Sequence, residues 1–367
     1  MNATQAAVDL DDVEGLLAAD REGLLRAASM AGAQVRATAA ALDEGDLDGL
    51  KSDEPPRTVI WVAGRGNAET AGTMLSATLG GSVAAPIVVA SEAPPWIGAL
   101  DVLILAGDDP GEPALVTAAA IGVRRGARVV VVAPYEGPLR DATAGRSVSL
   151  APRVWVRDDF GLARYLAAGL AVLQVVDPGL RVDLAALADE LDAEAFCNSA
   201  GRELFTNPAK TLAERMSGRE VVLAGDNAAT LALARHGAAV LLRIAHTAAA
   251  AVGLADALVA LRGGMGDKSG ADPEKSIFHD EQIDGPLPRR VRTFVVATDA
   301  ERPVVVARVS GLDDVDVINA EDVPEALGMV DAPEQPASPA TGRPEQQLAM
   351  LAVRLEMTAT YLRLVRG

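Results

Sequence analysis

The 367 residues allow two domains with separate cores, and because half are apolar but only 3% aromatic, those cores must be built from Ala, Val and Leu. A formal net charge of -18 and a sequence pI near 4.6 disfavour phosphate backbones, so neither nucleic acid nor an anionic membrane is expected as a partner. Cys197 stands alone, which rules out an intrachain disulfide, fits a reducing compartment and reads as a small buried side chain. The acidic first twelve residues do not read as a signal peptide, and the apolar stretch 238–261 is broken by Arg243, His246 and Asp256. A cytoplasmic protein is the expectation.

Leu16, Leu17, Leu24, Leu25, Ala28, Val35 and Leu42 recur on one helical face, which predicts one N-terminal helix over 10–42, or two meeting near Gly32. The acidic stretch 43–56 ends in Pro55-Pro56 and reads as a loop. Thr58 to Ala63 is a continuous β-rich run, as expected of a strand buried on both faces of a parallel sheet. A helix follows Asn67. Strands are predicted over 86–90, 101–106 and 128–133, with a helix over 113–125, and Val154 to Val156 suggests another strand. Helices are predicted over 160–176 and 184–195, and Asn207-Pro208-Ala209-Lys210 opens the next. A strand over 220–224 leads to a helix over 228–236, whose end His236 and Gly237 would cap, and to a buried stretch through Leu242. The stretch 238–261 reads as a buried helix and its neighbour. Residues 263–274 read as a loop, 292–297 and 303–309 as strands, and 331–344 as a flexible linker. A last helix over 345–365 carries an apolar stripe of Leu348, Leu351, Leu355, Ala359 and Leu362. Strands alternating with helices of this length predict an α/β fold with doubly wound parallel sheets.

One stretch recurs. Trp61-Val62-Ala63-Gly64-Arg65-Gly66-Asn67-Ala68-Glu69-Thr70 is an apolar run, a glycine turn and a helix start. About 160 positions later, Val222-Leu223-Ala224-Gly225-Asp226-Asn227-Ala228-Ala229-Thr230 repeats the plan one residue shorter. Two copies of a strand-turn-helix unit predict two similar halves. The first backbone N–H groups of such a helix have no internal partner, and glycine lets a ligand approach the backbone. Gly64, Arg65, Gly66, Asn67 and Thr70 are therefore candidate ligand-binding residues for a phosphate or a sugar hydroxyl. The spacing matches neither a dinucleotide nor a nucleoside-triphosphate loop, and no cofactor is expected. The turn after the third strand, 107–112, would face the same crevice. Its Asp108 and Asp109 would repel an anion and suit sugar hydroxyls or a cation, although two Asp in such a turn also serve as plain turn formers. His236, His246 and His279 are scattered without metal-ligand spacing, so no metal site is expected.

The layout resembles the sugar isomerase (SIS) fold, and within it the bifunctional phosphoglucose/phosphomannose isomerase family. Val62 to Asn67 falls where that family has Gly-x-Gly-Gly-Ser, and Ala106 to Glu112 where it has Ser-Tyr-Ser-Gly-Asn-Thr-Glu. Arg125-Gly126-Ala127 matches its Arg-Gly-Ala, Asn207-Pro208-Ala209-Lys210 the opening of its second domain, and Tyr361 to Gly367 its last-helix motif. The resemblance implies two doubly wound parallel-sheet SIS-like domains in tandem, 57–200 and 201–330. An N-terminal helical segment 1–56, a linker 331–344 and a C-terminal helix 345–367 would complete the chain. It further implies aldose–ketose isomerisation of sugar phosphates, a homodimer with its site between subunits, and an enediol-steadying role for Arg157.

Departures fall on the chemistry. Ala106, Asp108 and Gly111 replace three hydroxyl-bearing residues of the phosphate loop, and Arg243 stands where the family has its catalytic glutamate. No His-Asn-Glu follows to open the ring, and a lysine-bearing tail such as the family uses to close its site is not expected. Moving a proton between C1 and C2 needs a base, and ring opening usually needs an acid. His246, near Arg243 by helical spacing, is a candidate catalytic stand-in, against the competing reading of a satisfied core or interface histidine. The expected function is a sugar-phosphate isomerase-family protein that binds a carbohydrate derivative with a degenerate catalytic site. The alternative is a non-catalytic interaction or regulatory protein without a small-molecule site.

Overall fold

The computed structural model describes residues 8–63, 65–265, 290–320 and 343–366. The loop expected over 263–274 beyond residue 265, the linker 331–344 up to residue 342, Gly64 and His279 lie outside the described residues. Two compact units are present. One comprises Arg21–Ser199 and Arg343–Arg354; the other comprises the described parts of Met1–Asp20, Ala200–Gly342 and Leu355–Gly367.

The first unit is built on five parallel strands, β1 (Thr58–Val62), β2 (Ile87–Ala90), β3 (Asp101–Ala106), β4 (Arg128–Val132) and β5 (Ser147–Ser149), in the order β2-β1-β3-β4-β5. The apolar runs of β1 and β3 are buried at every position because helices cover both faces. Period-two alternation sorts the side chains. Ile60, Val62, Leu103 and Leu105 pack with Leu115, Ala118 and Val123 of α5 (Pro113–Arg125) and Leu139 of α6 (Gly137–Thr143). Trp61 points the other way, toward α4 (Gly66–Leu79) and α7 (Leu162–Val176), and its Nε1 donates to the Ala68 carbonyl at 2.9 Å. Against α7 lie α3 (Ala31–Asp43) and, on α3, α8 (Leu184–Cys197).

The second unit repeats the plan with four parallel strands, β6 (Glu220–Gly225), β7 (Ala249–Gly253), β8 (Val291–Val296) and β9 (Val315–Ile318), in the order β7-β6-β8-β9. Counting each unit from its first strand, both orders begin 2-1-3-4. The recurring stretch is thus the first strand, turn and helix of each sheet, with α10 (Ala228–Arg243) the counterpart of α4. Leu254, Ala257 and Leu258 of α11 (Leu254–Arg262) and Val305 and Val309 of α12 (Arg302–Val309) form its apolar cluster with Ala224 and Val295.

Several local expectations are corrected. The N-terminal region forms three helices, α1 (Val13–Ala19), α2 (Leu24–Ala28) and α3, interrupted where Gly23 takes a left-handed φ of 67°. Val154 to Val156 is not a strand: Trp155 is 84% exposed, and the fifth strand is β5, seven residues earlier. The β-branched run 303–309 is a helix, because Pro303 favours its first turn and Val305 and Val309, four apart, face the core. The alanine-rich stretch 238–261 holds the edge strand β7 between α10 and α11. α10 runs past Gly237 to Arg243, so His236 is buried in mid-helix and does not cap an end. Gly237 serves close packing instead, since a Cβ there would lie 2.9 Å from Leu223 Cδ1 and 3.1 Å from Leu355 Cδ1.

The last helix, α13 (Pro344–Arg366), is buried on nearly its whole circumference and not along one stripe. Several of its buried polar side chains have partners within the unit to which they belong. Arg354 pairs with Glu194, Glu356 with His236, and Thr358 donates to the Ala209 carbonyl. No described helix is long and apolar enough to cross a membrane.

Candidate functional site

In a doubly wound sheet the ligand crevice opens beyond the carboxyl ends of the strands, where chain order reverses. In the first unit that point lies between β1 and β3, whose register sets Val62 beside Leu105. Residues 65–67, which open α4, and the turn 106–111 follow these neighbouring strands. In the second unit the same point lies between β6 and β8.

Gly66 begins α4 with φ 66°, a left-handed conformation that glycine adopts without steric cost. Arg65 precedes it, exposed and without an ion pair among the described residues. The Thr70 hydroxyl donates back to the Gly66 carbonyl at 3.1 Å. Asn67 is buried, and its Nδ2 donates to the Asp158 carbonyl at 2.6 Å and the Asp159 carbonyl at 3.3 Å. Two carbonyl acceptors fix which end of the amide is nitrogen. Asn67 Oδ1 is therefore a buried acceptor, and it has no partner among the described residues. Asn67→Ala should cost about 1–3 kcal/mol of unfolding free energy, because two carbonyls lose their donor. A urea titration showing a change below about 0.5 kcal/mol would remove Asn67 as the tie between α4 and the 158–159 segment.

On the neighbouring turn, Asp109 Oδ1 accepts from the Gly111 N–H at 2.8 Å, an ordinary Asx turn. Asp108 does something else. Its Oδ1 accepts from Arg164 Nη2 at 2.7 Å and from the Tyr165 hydroxyl at 2.5 Å. Arg164 Nη2 also reaches Tyr165 Oη at 2.7 Å, with the guanidinium 4.1 Å above the phenol ring. Burial pushes the Tyr165 hydroxyl far above the ordinary tyrosine pKa, so it stays a donor. Arg164 and Tyr165 drew no attention in the sequence, although a charged residue opening the apolar helix Leu162–Val176 is a signal in its own right.

Arg157 precedes the short 3-10 turn Asp158–Phe160, and its guanidinium donates to Glu22 Oε2 at 2.8 Å and to Asp159 Oδ2 at 3.3 Å. The hydrogen bond to Glu22 leads in raising its pKa above the usual arginine value. His246 belongs to the other unit. It lies outside α10, in the loop before β7, with φ 51°, and its Nδ1 is 3.3 Å from Arg363 Nη1. The helical proximity to Arg243 expected for it is therefore corrected, because α10 ends at Arg243. Lys210 is buried at the start of α9 (Pro208–Met216), its Nζ donating to the Ala200 and Arg202 carbonyls at 2.9 and 2.7 Å. Asn207 caps the same helix, so this segment is spent on structure.

The second unit answers its own groups at the equivalent turn. Asn227 Oδ1 accepts from the Ala229 and Thr230 N–H groups, and its Nδ2 donates to Glu301. Asp226 pairs with Arg308. Among the described residues, no group of three or more His, Cys, Asp or Glu could hold a metal ion.

No family model matches the chain, and no curated protein matches it. Solved structures do. A candidate phosphosugar isomerase from Clostridium difficile 630 superposes with a TM-score of 0.59 at 12% identity, over 94% of this chain and 93% of that one. Tagatose-6-phosphate ketose/aldose isomerase from Escherichia coli gives 0.58 at 13%, over 98% and 93%. A glucose-6-phosphate isomerase like protein from Thermus thermophilus gives 0.52 at 19%, over 98% and 96%. This chain has the SIS fold. At these identities the likeness concerns the fold, with both parallel sheets inside the span that superposes. The α/β architecture of two SIS-like sheets expected from the resemblance stands.

Proposed function

We propose that this SIS-fold chain binds a carbohydrate derivative in the crevice beyond β1 and β3 and does not interconvert aldose and ketose phosphates. The observation that carries the binding half is Asn67 Oδ1, a buried acceptor at the switch point with no partner among the described residues. Leaving such a group unanswered is costly, and a ligand hydroxyl would satisfy it. The other half rests on what surrounds it. Arg157, Arg164 and Tyr165 are each engaged by a carboxylate of the chain itself. Arg243, at the position the resemblance reserves for a glutamate base, is the last residue of α10. Fold alone does not decide activity, so the reading is chemical. A cytoplasmic homodimer without cofactor belongs to the same proposal, and light scattering would read the dimer.

A coupled assay of fructose 6-phosphate and mannose 6-phosphate interconversion, read through glucose 6-phosphate, should show no turnover. Clear turnover in the wild type would overturn the non-catalytic half. In a thermal-shift screen of hexoses and hexose derivatives, a ligand tenfold above its Kd should raise Tm by about 2 °C. A flat response to every sugar at millimolar concentration would overturn the binding half and leave the interaction role.

A further inference from the structure

We propose that Asp108 is a built-in counter-anion that sets the ligand class of this crevice: it admits the hydrogen-bond donors of a sugar, hydroxyl or ammonium, and excludes phosphate. The proposal rests on the reading of the same crevice as a carbohydrate site.

Two donors from the first turn of α7 converge on one oxygen of Asp108. Arg164 Nη2 and Tyr165 Oη lie 2.7 and 2.5 Å from Asp108 Oδ1 and 2.7 Å from each other. Tyr165 is fully buried and Arg164 nearly so. A buried guanidinium stacked on a phenol, with both aimed at one point, is a strong arrangement for holding an anion. Here the chain itself supplies that anion, from the turn after β3. The pairing also spares the guanidinium the cost of lying buried without a counter-charge.

Apart from Arg164 Nη1, a buried donor with no partner among the described residues, and the exposed Arg65, the side-chain groups that remain beside Asp108 accept. Asp108 Oδ2 has no partner among the described residues, and the Asp108 side chain is one-third exposed. Asn67 Oδ1 is buried and unanswered, and Asp109 is exposed on the same turn. Carboxylate and amide oxygens take hydrogen bonds from hydroxyl or ammonium groups, whereas the phosphoryl group of an ionised phosphate ester offers none and its negative charge is repelled by the Asp108 carboxylate. Arg65 is exposed on the adjoining turn without an ion pair among the described residues. It would add attraction for an anion once the Asp108 charge is gone.

The test compares wild type, Asp108→Asn and Asp108→Asn/Arg164→Gln, using inorganic phosphate, glucose 6-phosphate, glucose and glucosamine as probes. Tm and calorimetric titration are read against sodium chloride of equal ionic strength. Wild type should ignore phosphate, and D108N should bind it at least about tenfold more tightly, with the gain lost in the double variant. A wild type that binds phosphate or glucose 6-phosphate as well as D108N would overturn the proposal, as would a folded D108N without the gain. Should D108N unfold in chloride, millimolar phosphate should restore it by replacing the missing charge. Failure of that rescue rejects the proposal too. Glucosamine preferred over glucose by the wild type assigns an ammonium ligand, and equal binding assigns a hydroxyl. If neither sugar binds, the carbohydrate reading falls, whereas a phosphate gain in D108N would still establish Asp108 as the counter-anion.

Discussion

Arg354→Ala should lower the unfolding free energy of the first unit by about 3–5 kcal/mol, the loss expected when one partner of a buried ion pair is removed. Arg354, on the part of α13 that belongs to this unit, and Glu194, on α8, are each only 1% exposed. Arg354 Nε donates to Glu194 Oε1 at 2.8 Å and Nη2 to Oε2 at 3.1 Å, a fork-to-fork geometry. Asn198 Nδ2 adds a bond to Oε1 at 2.6 Å. Truncating the arginine leaves the carboxylate buried with one amide for company, and leaves a cavity where one of the largest fully buried side chains lay. The pair as a whole is another matter. Two charges removed from water recover little net energy from each other, so Glu194→Leu/Arg354→Met should return most of the loss. Urea unfolding followed by circular dichroism separates the cases. A cost for Arg354→Ala below about 1 kcal/mol would show that the carboxylate finds water or another donor.

Gly225→Ala should be the most damaging single methyl addition at either recurring turn, costing about 3 kcal/mol or more. A Cβ on Gly225 would lie 2.3 Å from the Thr230 carbonyl carbon, 2.3 Å from the Leu231 nitrogen and 2.7 Å from Leu231 Cα. These are backbone atoms of the first turn of α10, which cannot rotate aside as a side chain can. The alternatives are to lift the helix off β6 or to break the capping box that Asn227 and Thr230 make at its start. Gly66→Ala is the control. Its Cβ would meet nothing within 4 Å, and only the left-handed φ of 66° resists it, at about 1–2 kcal/mol. The ranking of the two in Tm checks the argument: equal losses would mean that conformational strain, not close approach, governs both turns.

These sites differ in how far they could be read ahead of the structure. β1, β3, β4 and β6 were legible because each has a neighbour on both sides and carries a run of four or more apolar residues; β8 keeps a shorter run from Phe294 to Val296, and the edge strand β2 was legible from its Ile-Val-Val. β5, β7 and β9 escaped, and all three are edges of their sheets. Their segments, Ser-Val-Ser, an alanine run and an aspartate-bearing tetrad, carry little of that pattern. Val304 and Val306 misled because β-branching is a weak prior that a proline at the first helical turn and a core-facing i, i+4 pair outweigh.

By itself the sequence determined the two-sheet α/β plan, the recurrence of the strand-turn-helix unit, and the placement of Asn67 and Asp108 at turns leaving neighbouring strands. Those features are local: they follow from runs, turn residues and spacing within about fifteen positions. Only the tertiary structure decided what the turns do. Arg164 and Tyr165 stand more than fifty residues from Asp108 in the chain, and packing of α7 across the sheet brings all three to one oxygen. The same holds for His236 and Glu356, and for Arg354 and Glu194. A charge in the chain has no fixed meaning until folding chooses its partner, because desolvation and Coulomb attraction both act over a few ångströms of space and not along the sequence.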